Sequence, residues 1–257
     1  MPDQDMVLID TSTPRGLRAD HFARHGWEHG RLRVPAEGTD WKRFASAWDE
    51  LVPDAYLGGE RCRRNRRFGR VLAHRDGTLE PLRGTEFFQS KEINRTFGDQ
   101  LRVFEPLTDT VLADRLFPRI LRETLGLVNE VAGRQDWELG IHLIRVLADA
   151  GQGSEPAPEG RHSDGHSYVA IHLIDRHRCV GGRNQVFRNG EPDACHTVTM
   201  TEPLETLILS DTTMQHDVSE IRPDGTAGSA WRDTMIVDFN TVPDPAGVPG
   251  RTHGSLR

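Results

Sequence analysis

The sequence has few cysteines, no long apolar run and no surplus of positive charge. Its three cysteines, Cys62, Cys179 and Cys195, are scattered, which argues against a disulfide framework or a zinc knuckle and indicates free thiols in a reducing cytoplasm. No apolar run reaches the ~18 residues of a membrane-spanning helix, so we expect no membrane association. The first ten residues lack the basic and apolar parts of a secretory signal, and we therefore expect a cytoplasmic protein.

The charge balance argues against a general nucleic-acid-binding protein. The chain has 32 basic and 39 acidic residues, a net charge of −7, whereas a general nucleic-acid binder shows a basic face. Its 257 residues are enough for one large domain with a sizeable core. We expect a single domain over residues 1–243 and a disordered tail over 244–257.

Two halves differ in their apolar patterning. In the N-terminal half, 1–136, residues 1–40 are a loosely patterned lead-in, and the spacing of apolar residues predicts helices over 41–51 and 109–132. Asp40 is the expected N-cap of the first helix, and Pro118 is expected to kink the second or to start a new one. The half from 137 to 243 predicts short strands, which indicate a sandwich or barrel: 141–148, 168–174, 184–187, 196–200, 206–210 and 234–239.

Between these helices lies an arginine-rich segment. Residues 59–70 contain six arginines in twelve positions. They are typical of a solvated basic strand edge, or else of a contact to an anion such as a substrate carboxylate.

A His-x-Asp triplet suggests a metal site. His162 and Asp164 are two residues apart, so on an extended chain both side chains point to the same side, and Gly165 allows the chain to turn directly afterwards. His216, after the apolar run 207–209, is the best third ligand. Two imidazoles and one carboxylate form the facial triad of non-haem Fe(II) oxygenases, whereas zinc favours His and Cys sets. Alone, the triplet is also typical of a solvated loop.

A second element makes the pattern more specific. Arg232 and Thr234 share one face of the last apolar strand, where a planar guanidinium and a hydroxyl can bind a carboxylate. The distal carboxylate of 2-oxoglutarate needs such a partner. Asp211 and Asp217 flank the turn that carries His216, either as turn-forming residues or as groups that orient an imidazole.

The stretch from 144 to 239 resembles the 2-oxoglutarate/Fe(II) dioxygenases that hydroxylate free amino acids, the L-isoleucine dioxygenase-like group. The resemblance rests on IRVLA (144–148), PAPEGRHSDG (156–165), the Gly181–Gly182 pair, ILSDTTMQHDV (208–218) and WRDTMIVDF (231–239), with a weaker match over 87–107. It implies an α+β, mainly β protein: a double-stranded β-helix, or cupin-like jelly roll, with supporting N-terminal helices. It also implies Fe(II) held by His162, Asp164 and His216, O₂, and 2-oxoglutarate held by Arg232.

The same resemblance implies hydroxylation of the side chain of a free L-amino acid or close derivative, with succinate and CO₂ as co-products. Gln89, Asn94 and Arg145 are then candidate contacts for the amino-acid head group, and Glu159 for its ammonium group. The role of His166 stays open, as do desaturation or cyclisation and the oligomeric state, for which a homodimer is one option. Another metal-dependent jelly-roll enzyme, an isomerase or lyase, and a cupin-like binding protein are alternatives, but neither needs the Arg232–Thr234 pair.

Overall fold

Strands dominate the chain. The computed structural model describes residues 15–36, 38–57, 62–93, 98–149, 152–225 and 228–242. Its helices are α1 (Ala19–His25), α2 (Gly38–Ala45), α3 (Asp109–Ala113) and α4 (Leu116–Ala132), and a 3₁₀ helix follows α2 at Ser46–Glu50. Its strands are β1 (Trp27–Arg31), β2 (Val52–Pro53), β3 (Arg64–Ala73), β4 (Leu79–Leu82), β5 (Glu86–Phe87), β6 (Arg102–Val103), β7 (Trp137–Ala148), β8 (Tyr168–His177), β9 (Cys179–Gly181), β10 (Asn184–Arg188), β11 (Ala194–Val198), β12 (Glu205–Ser210), β13 (Met214–Val218), β14 (Ile221–Pro223) and β15 (Ala230–Thr241). None of the helices in these ranges is long and apolar enough to cross a membrane.

Two antiparallel sheets form the centre of the fold. The larger has eight strands in the order β1-β12-β8-β15-β7-β3-β2, with β4 paired to β3, and the smaller has the order β11-β10-β13. Apolar residues of β8 and β12, such as Ile171 and Leu207, pack against Val186 of β10 and Met214 of β13. The predicted double-stranded β-helix is confirmed.

The helices cover the other face of the large sheet. Ile120, Leu121 and Val128 of α4 belong to the same buried cluster as Ile141 of β7 and Val237 of β15. Burying each such side chain stabilises the fold by roughly 1.5–3 kcal/mol. Because side chains alternate along a strand, the even-numbered residues of β7 and β15 face the interior between the two sheets.

The N-terminal region is more ordered than its polar composition suggests. The lead-in expected over 1–40 contains α1 and β1, and β1 pairs with β12 at the edge of the large sheet. The expectation was wrong there because β1, with the sequence WEHGR, has only one strongly apolar residue. Its buried Glu28 lies 2.7 Å from His21 Nδ1 and 3.7 Å from Arg18 Nη2.

The helix boundaries also differ from the prediction in detail. The first helix begins at Gly38 and becomes 3₁₀ after Ala45, so Asp40 lies inside its first turn and is not an N-cap. The Asp40 carboxylate instead accepts hydrogen bonds from Arg43 and Arg115. The second helical region is two helices, with Pro118 in the first turn of α4, one of the two outcomes that were expected. The division into a domain over 1–243 and a tail stays a prediction.

Candidate active site

Backbone pairing brings the two predicted histidine ligands together. His162 and His216 form an isolated antiparallel bridge, in which each N–H donates to the other's carbonyl, at 3.0 and 2.8 Å. His216 lies within β13, the strand that follows β12 after a turn. The two imidazole ring centroids are 4.4 Å apart.

Asp164 completes a compact group with these histidines. Its Oδ1 is 3.5 Å from His162 Nε2 and its Oδ2 is 3.5 Å from His216 Nε2. One ligand atom of each residue lies within 4.8 Å of the others, and in the described ranges this is the one such group of three that could hold a metal ion. His162 Nδ1 lies 2.6 Å from the Gly160 carbonyl, to which it donates, so Nε2 is the nitrogen left to bind a metal. The donor set and its convergence fit iron(II).

The electrostatics of the group depend on Asp164. Burial by itself lowers the pKa of His162, but the hydrogen bond to Asp164 and its charge raise it to about 9. Burial lowers the pKa of His216 to about 4, with the neighbouring His162 adding to the effect. The carboxylate thus compensates positive charge at this position before any metal is bound.

Asp211 holds the loop that carries Asp164. Its carboxylate accepts the backbone N–H groups of Asp164, Gly165 and His166 at 3.0, 2.6 and 2.9 Å. Burial raises the pKa of Asp211 to about 6, and the charge of Asp164 adds to this shift. The side chain therefore orients the backbone of the loop and not an imidazole, which the sequence had offered as one alternative.

Gly165 makes the turn beside the ligand possible. Its φ of +87° is in the left-handed region, and a Cβ there would lie 2.4 Å from Ile93 Cδ1. A side chain at this position would be strained, and Ile93 would have to shift to make room for it. The Gln89 amide also fixes the loop, because its Nε2 donates to the Asp164 carbonyl at 2.8 Å.

Arg232 lies in the same cavity as the metal-ligating group. Its side chain is 4% exposed, its Nη2 donates to Asn184 Oδ1 at 3.4 Å, and its Nε is buried without a partner. Within the described residues no carboxylate lies within ion-pair distance of this guanidinium. Burial lowers the pKa of Arg232 to about 10, with a contribution from Arg176, yet the group stays charged at neutral pH. A buried cation without an anion fits a carboxylate ligand.

Alternate residues of β15 form one wall of the cavity. Arg232, Thr234, Ile236 and Asp238 all line it, as the period of two along a strand requires. The prediction that Arg232 and Thr234 share one face thus agrees with their placement.

Glu159 is the predicted ammonium contact, and it lines the cavity as well. Its Oε1 is 3.9 Å from His162 Nε2, and its Oε2 is buried without a hydrogen-bond partner. A buried carboxylate oxygen facing the cavity is suited to bind a cationic ligand group.

Arg145 lies on the other face of the sheet. Its neighbours Ile144 and Val146 line the cavity, so Arg145 points away from it. Its guanidinium donates to both oxygens of Asp233, at 2.8 and 2.7 Å, and to Asp49 at 2.8 Å. The structure therefore does not bring Arg145 to the site, because strand alternation places it in an ion-pair network under the helices. Asn94 lies outside the described residues.

His166 contacts a second buried carboxylate, not the metal-ligating group. Its Nε2 is 3.2 Å from Asp238 Oδ2 and its Nδ1 is 2.9 Å from Asn240 Oδ1. His142 Nε2 reaches the same Asp238 oxygen at 2.6 Å. His142 is thus a buried, hydrogen-bonded histidine that also lines the cavity.

Several cavity residues were missed at the level of the sequence. Asp238 has the same strand parity as Arg232, so the period of two could have identified it. Arg102 of β6 and Asn184 of β10 carried no signal, because only the packing of separate strands brings them to the cavity. The solvated-edge interpretation of the arginine-rich segment is wrong for Arg66, which is 6% exposed and lines the cavity with Arg64.

Comparisons with known proteins agree with this geometry. The family model of the 2OG-Fe dioxygenases matches residues 45–238. The chain is 29% identical to the L-isoleucine-4-hydroxylase of Bacillus thuringiensis over 195 residues, 74% of this chain and 78% of that protein. It is 23% identical to the 3(1)-hydroxy-L-isoleucine 4-dioxygenase of Pantoea ananatis over 211 residues, 81% and 84% of the two chains. Among solved structures it is similar to a bsmA homolog from Methylobium petroleophilum, with a TM-score of 0.71 and 27% identity over 79% of this chain and 81% of that one.

The jelly roll, the His-Asp-His group and the buried arginine define a non-haem iron oxygenase, and the chain belongs to the 2OG-Fe dioxygenase family. It is an enzyme that depends on Fe(II) and uses 2-oxoglutarate and O₂ as cosubstrates. The family, enzyme class and cofactors predicted from the sequence are confirmed.

Proposed function

We propose that this enzyme hydroxylates the side chain of a free L-amino acid or a close derivative. In the balanced reaction, the substrate C–H, 2-oxoglutarate and O₂ give the hydroxylated substrate, succinate and CO₂. The observation that carries the proposal is the buried Arg232, without a carboxylate partner in the described residues, in one cavity with the His162–Asp164–His216 group.

We assign the metal-binding role to His162, Asp164 and His216. Iron(II), when bound there, supplies the activation of O₂ that couples oxidative decarboxylation of 2-oxoglutarate to C–H hydroxylation. Asp211 keeps the Asp164 loop in place through its three backbone hydrogen bonds. Arg232 binds the distal carboxylate of 2-oxoglutarate, and Thr234 contributes a hydroxyl from the same wall.

The substrate class is supported by the relatives and by the cavity. Both curated relatives are named for reactions of isoleucine or a hydroxyisoleucine. In this chain, Glu159 offers a buried oxygen for the substrate ammonium group. Apolar side chains that line the cavity exclude water from the reacting carbon: Ile144, Ile171, Val218 and Ile236.

A screen of the twenty free L-amino acids for substrate-dependent succinate formation tests this function. We expect at least one amino acid, with an aliphatic side chain, to stimulate succinate formation and to give a product one oxygen atom heavier by mass spectrometry. His162→Ala is the matched negative control, since it removes a metal ligand. Succinate formation only with a peptide or a carrier-bound residue, and with no free amino acid, contradicts the proposal.

A further inference from the structure

The cavity has a second cationic wall, on the side away from Arg232. Arg64 and Arg232 both pair with Val146 of β7, from opposite sides of that strand, and Arg66 and Thr234 both pair with Ile144. Two strand spacings of ~4.8 Å separate the backbones of each pair by roughly 10 Å. The guanidinium groups also have different neighbours, since Arg66 contacts His142 and lies over Phe104 whereas Arg232 contacts Asn184. The arginines of β3 are therefore a candidate for a second anion-binding site.

Arg66 is fixed at this wall and retains an unused donor. Its side chain is 6% exposed, its guanidinium carbon lies 3.8 Å from the ring centroid of Phe104, and its buried Nε has no partner. Burial lowers the pKa of Arg66 to about 9, with the charge of Arg64 adding to the shift, but the group remains charged at neutral pH.

The charge of Arg66 is only partly compensated. Arg64 donates two hydrogen bonds to the carboxylate of Asp54, at 3.0 and 2.8 Å, whereas Arg66 Nη1 lies 3.9 Å from the same carboxylate. Arg102 of β6 lies over the ring of Phe87 at 4.9 Å and lines the same part of the cavity. Arg64 and Arg66 thus share one carboxylate, an arrangement that favours an incoming anion at Arg66.

A hydrogen bond to His142, which also lines the cavity, fixes the orientation of Arg66. Its Nη2 contacts His142 Nδ1, and because a guanidinium only donates, that nitrogen accepts and the imidazole proton is on Nε2. His142 Nε2 then donates to Asp238 at 2.6 Å. Burial and the charge of Arg66 lower the pKa of His142 to about 4, which agrees with a neutral ring. His142, which lines the cavity, thereby fixes the Nη2 side of the Arg66 guanidinium.

We propose that Arg66, with Arg64 and Arg102, binds the α-carboxylate of the amino-acid substrate. This inference rests on the proposed function and assigns the two acids to opposite walls: 2-oxoglutarate to Arg232 and the amino acid to Arg66. Glu159 receives the ammonium group of the same substrate. Arg66 is then a specificity-determining residue, which selects free amino acids over their amides and over residues inside a peptide chain.

The test compares L-isoleucine with L-isoleucinamide, which lacks the carboxylate charge. Calorimetry on the anaerobic enzyme loaded with Fe(II) and 2-oxoglutarate gives the Kd of each probe for the parent protein and for Arg66→Met. We expect the parent to favour the acid by at least about 30-fold, the factor that corresponds to ~2 kcal/mol for a buried charge pair. In Arg66→Met the preference should fall below about threefold, while the Kd of 2-oxoglutarate changes by less than about threefold.

Arg70→Met is the matched control. Arg70 is on the same strand, pairs with Glu138 at 2.7 Å and does not line the cavity, so the acid–amide preference should not change. A folded Arg66→Met protein that keeps the parental preference overturns the subsite. If Arg66→Met does not fold, Arg64→Gln replaces it. Asp54 then pairs with Arg66, and the preference should fall at least about threefold, so an unchanged preference again overturns the proposal.

The two proposals fail in different ways. In the first case, the enzyme binds 2-oxoglutarate but neither probe, and it turns over no free amino acid. This result refutes both the free amino acid as substrate class and the α-carboxylate site at Arg66. Binding and turnover of the amino acid with an acid–amide preference that does not depend on Arg66 or Arg64 refutes the subsite alone.

Discussion

Replacement of Arg232 by alanine is expected to weaken 2-oxoglutarate binding selectively. The guanidinium is 4% exposed and its Nε has no partner, so a bound carboxylate would be its counter-ion in a site from which water is excluded. Loss of one partner of such a pair costs about 2–5 kcal/mol, because the other charge stays buried and unpaired. This corresponds to roughly a 30-fold to several thousand-fold loss of affinity. Lysine should rescue only in part, since it offers a point charge and no planar fork.

Titration of 2-oxoglutarate into the anaerobic Fe(II) enzyme, followed by the metal-to-ligand charge-transfer band, measures this loss directly. The apparent KM for 2-oxoglutarate should rise far more than that for the amino acid. Thr234→Val should give a smaller loss of about 1 kcal/mol, the value of one hydrogen bond. Arg70→Ala, which removes a charge outside the cavity, serves as the control. An Arg232→Ala protein that titrates like the parent refutes the assignment of Arg232 to the cosubstrate.

Three further predictions concern the metal group and the core. Alanine at His162, Asp164 or His216 should abolish turnover with the fold retained, and a variant with full activity and one equivalent of iron disproves the ligand set. Asp211→Asn should weaken Fe(II) binding, because an amide cannot accept three backbone N–H groups, and an unchanged iron Kd contradicts this role. Burial lowers the pKa of His172 to about 3, whereas a histidine in the unfolded chain has a pKa of ~6.5. As the pH falls below ~6.5, His172 therefore takes up a proton in the unfolded state but not in the folded state. Because of this residue, the free energy of unfolding should fall by about 2 kcal/mol between pH 7 and pH 5, as measured by urea denaturation. If His172→Gln shows the same fall, His172 is not its cause.

Local sequence patterns identified six strands of the β-rich half but not the strands β9, β13 and β14. The six predicted strands all occur, each with bounds within a few residues, because runs such as ETLILS contain consecutive apolar residues and are bounded by turn residues. The N-terminal region was harder to predict. β1 is stabilised by its pairing with β12 and by the contacts of its buried Glu28 with Arg18 and His21, neither of which leaves an apolar period in the sequence.

For the site, the sequence by itself determined the residues that are close along the chain. His162 and Asp164 share one side of an extended segment, and Arg232 and Thr234 share one face of a strand, because both relations follow from a backbone period of two. The same period, applied from Ile144 and Val146, places Arg145 on the opposite face, but only the tertiary structure showed which face of β7 lines the cavity.

Only the tertiary structure decided which distant residues meet. The bridge between His162 and His216, the hold of Asp211 on the Asp164 loop, and the position of Arg66 across β7 from Thr234 depend on strand order and register. These are set by the packing of the helices on one face of the large sheet and of the small sheet on the other, a property of the whole chain that no local window of sequence contains.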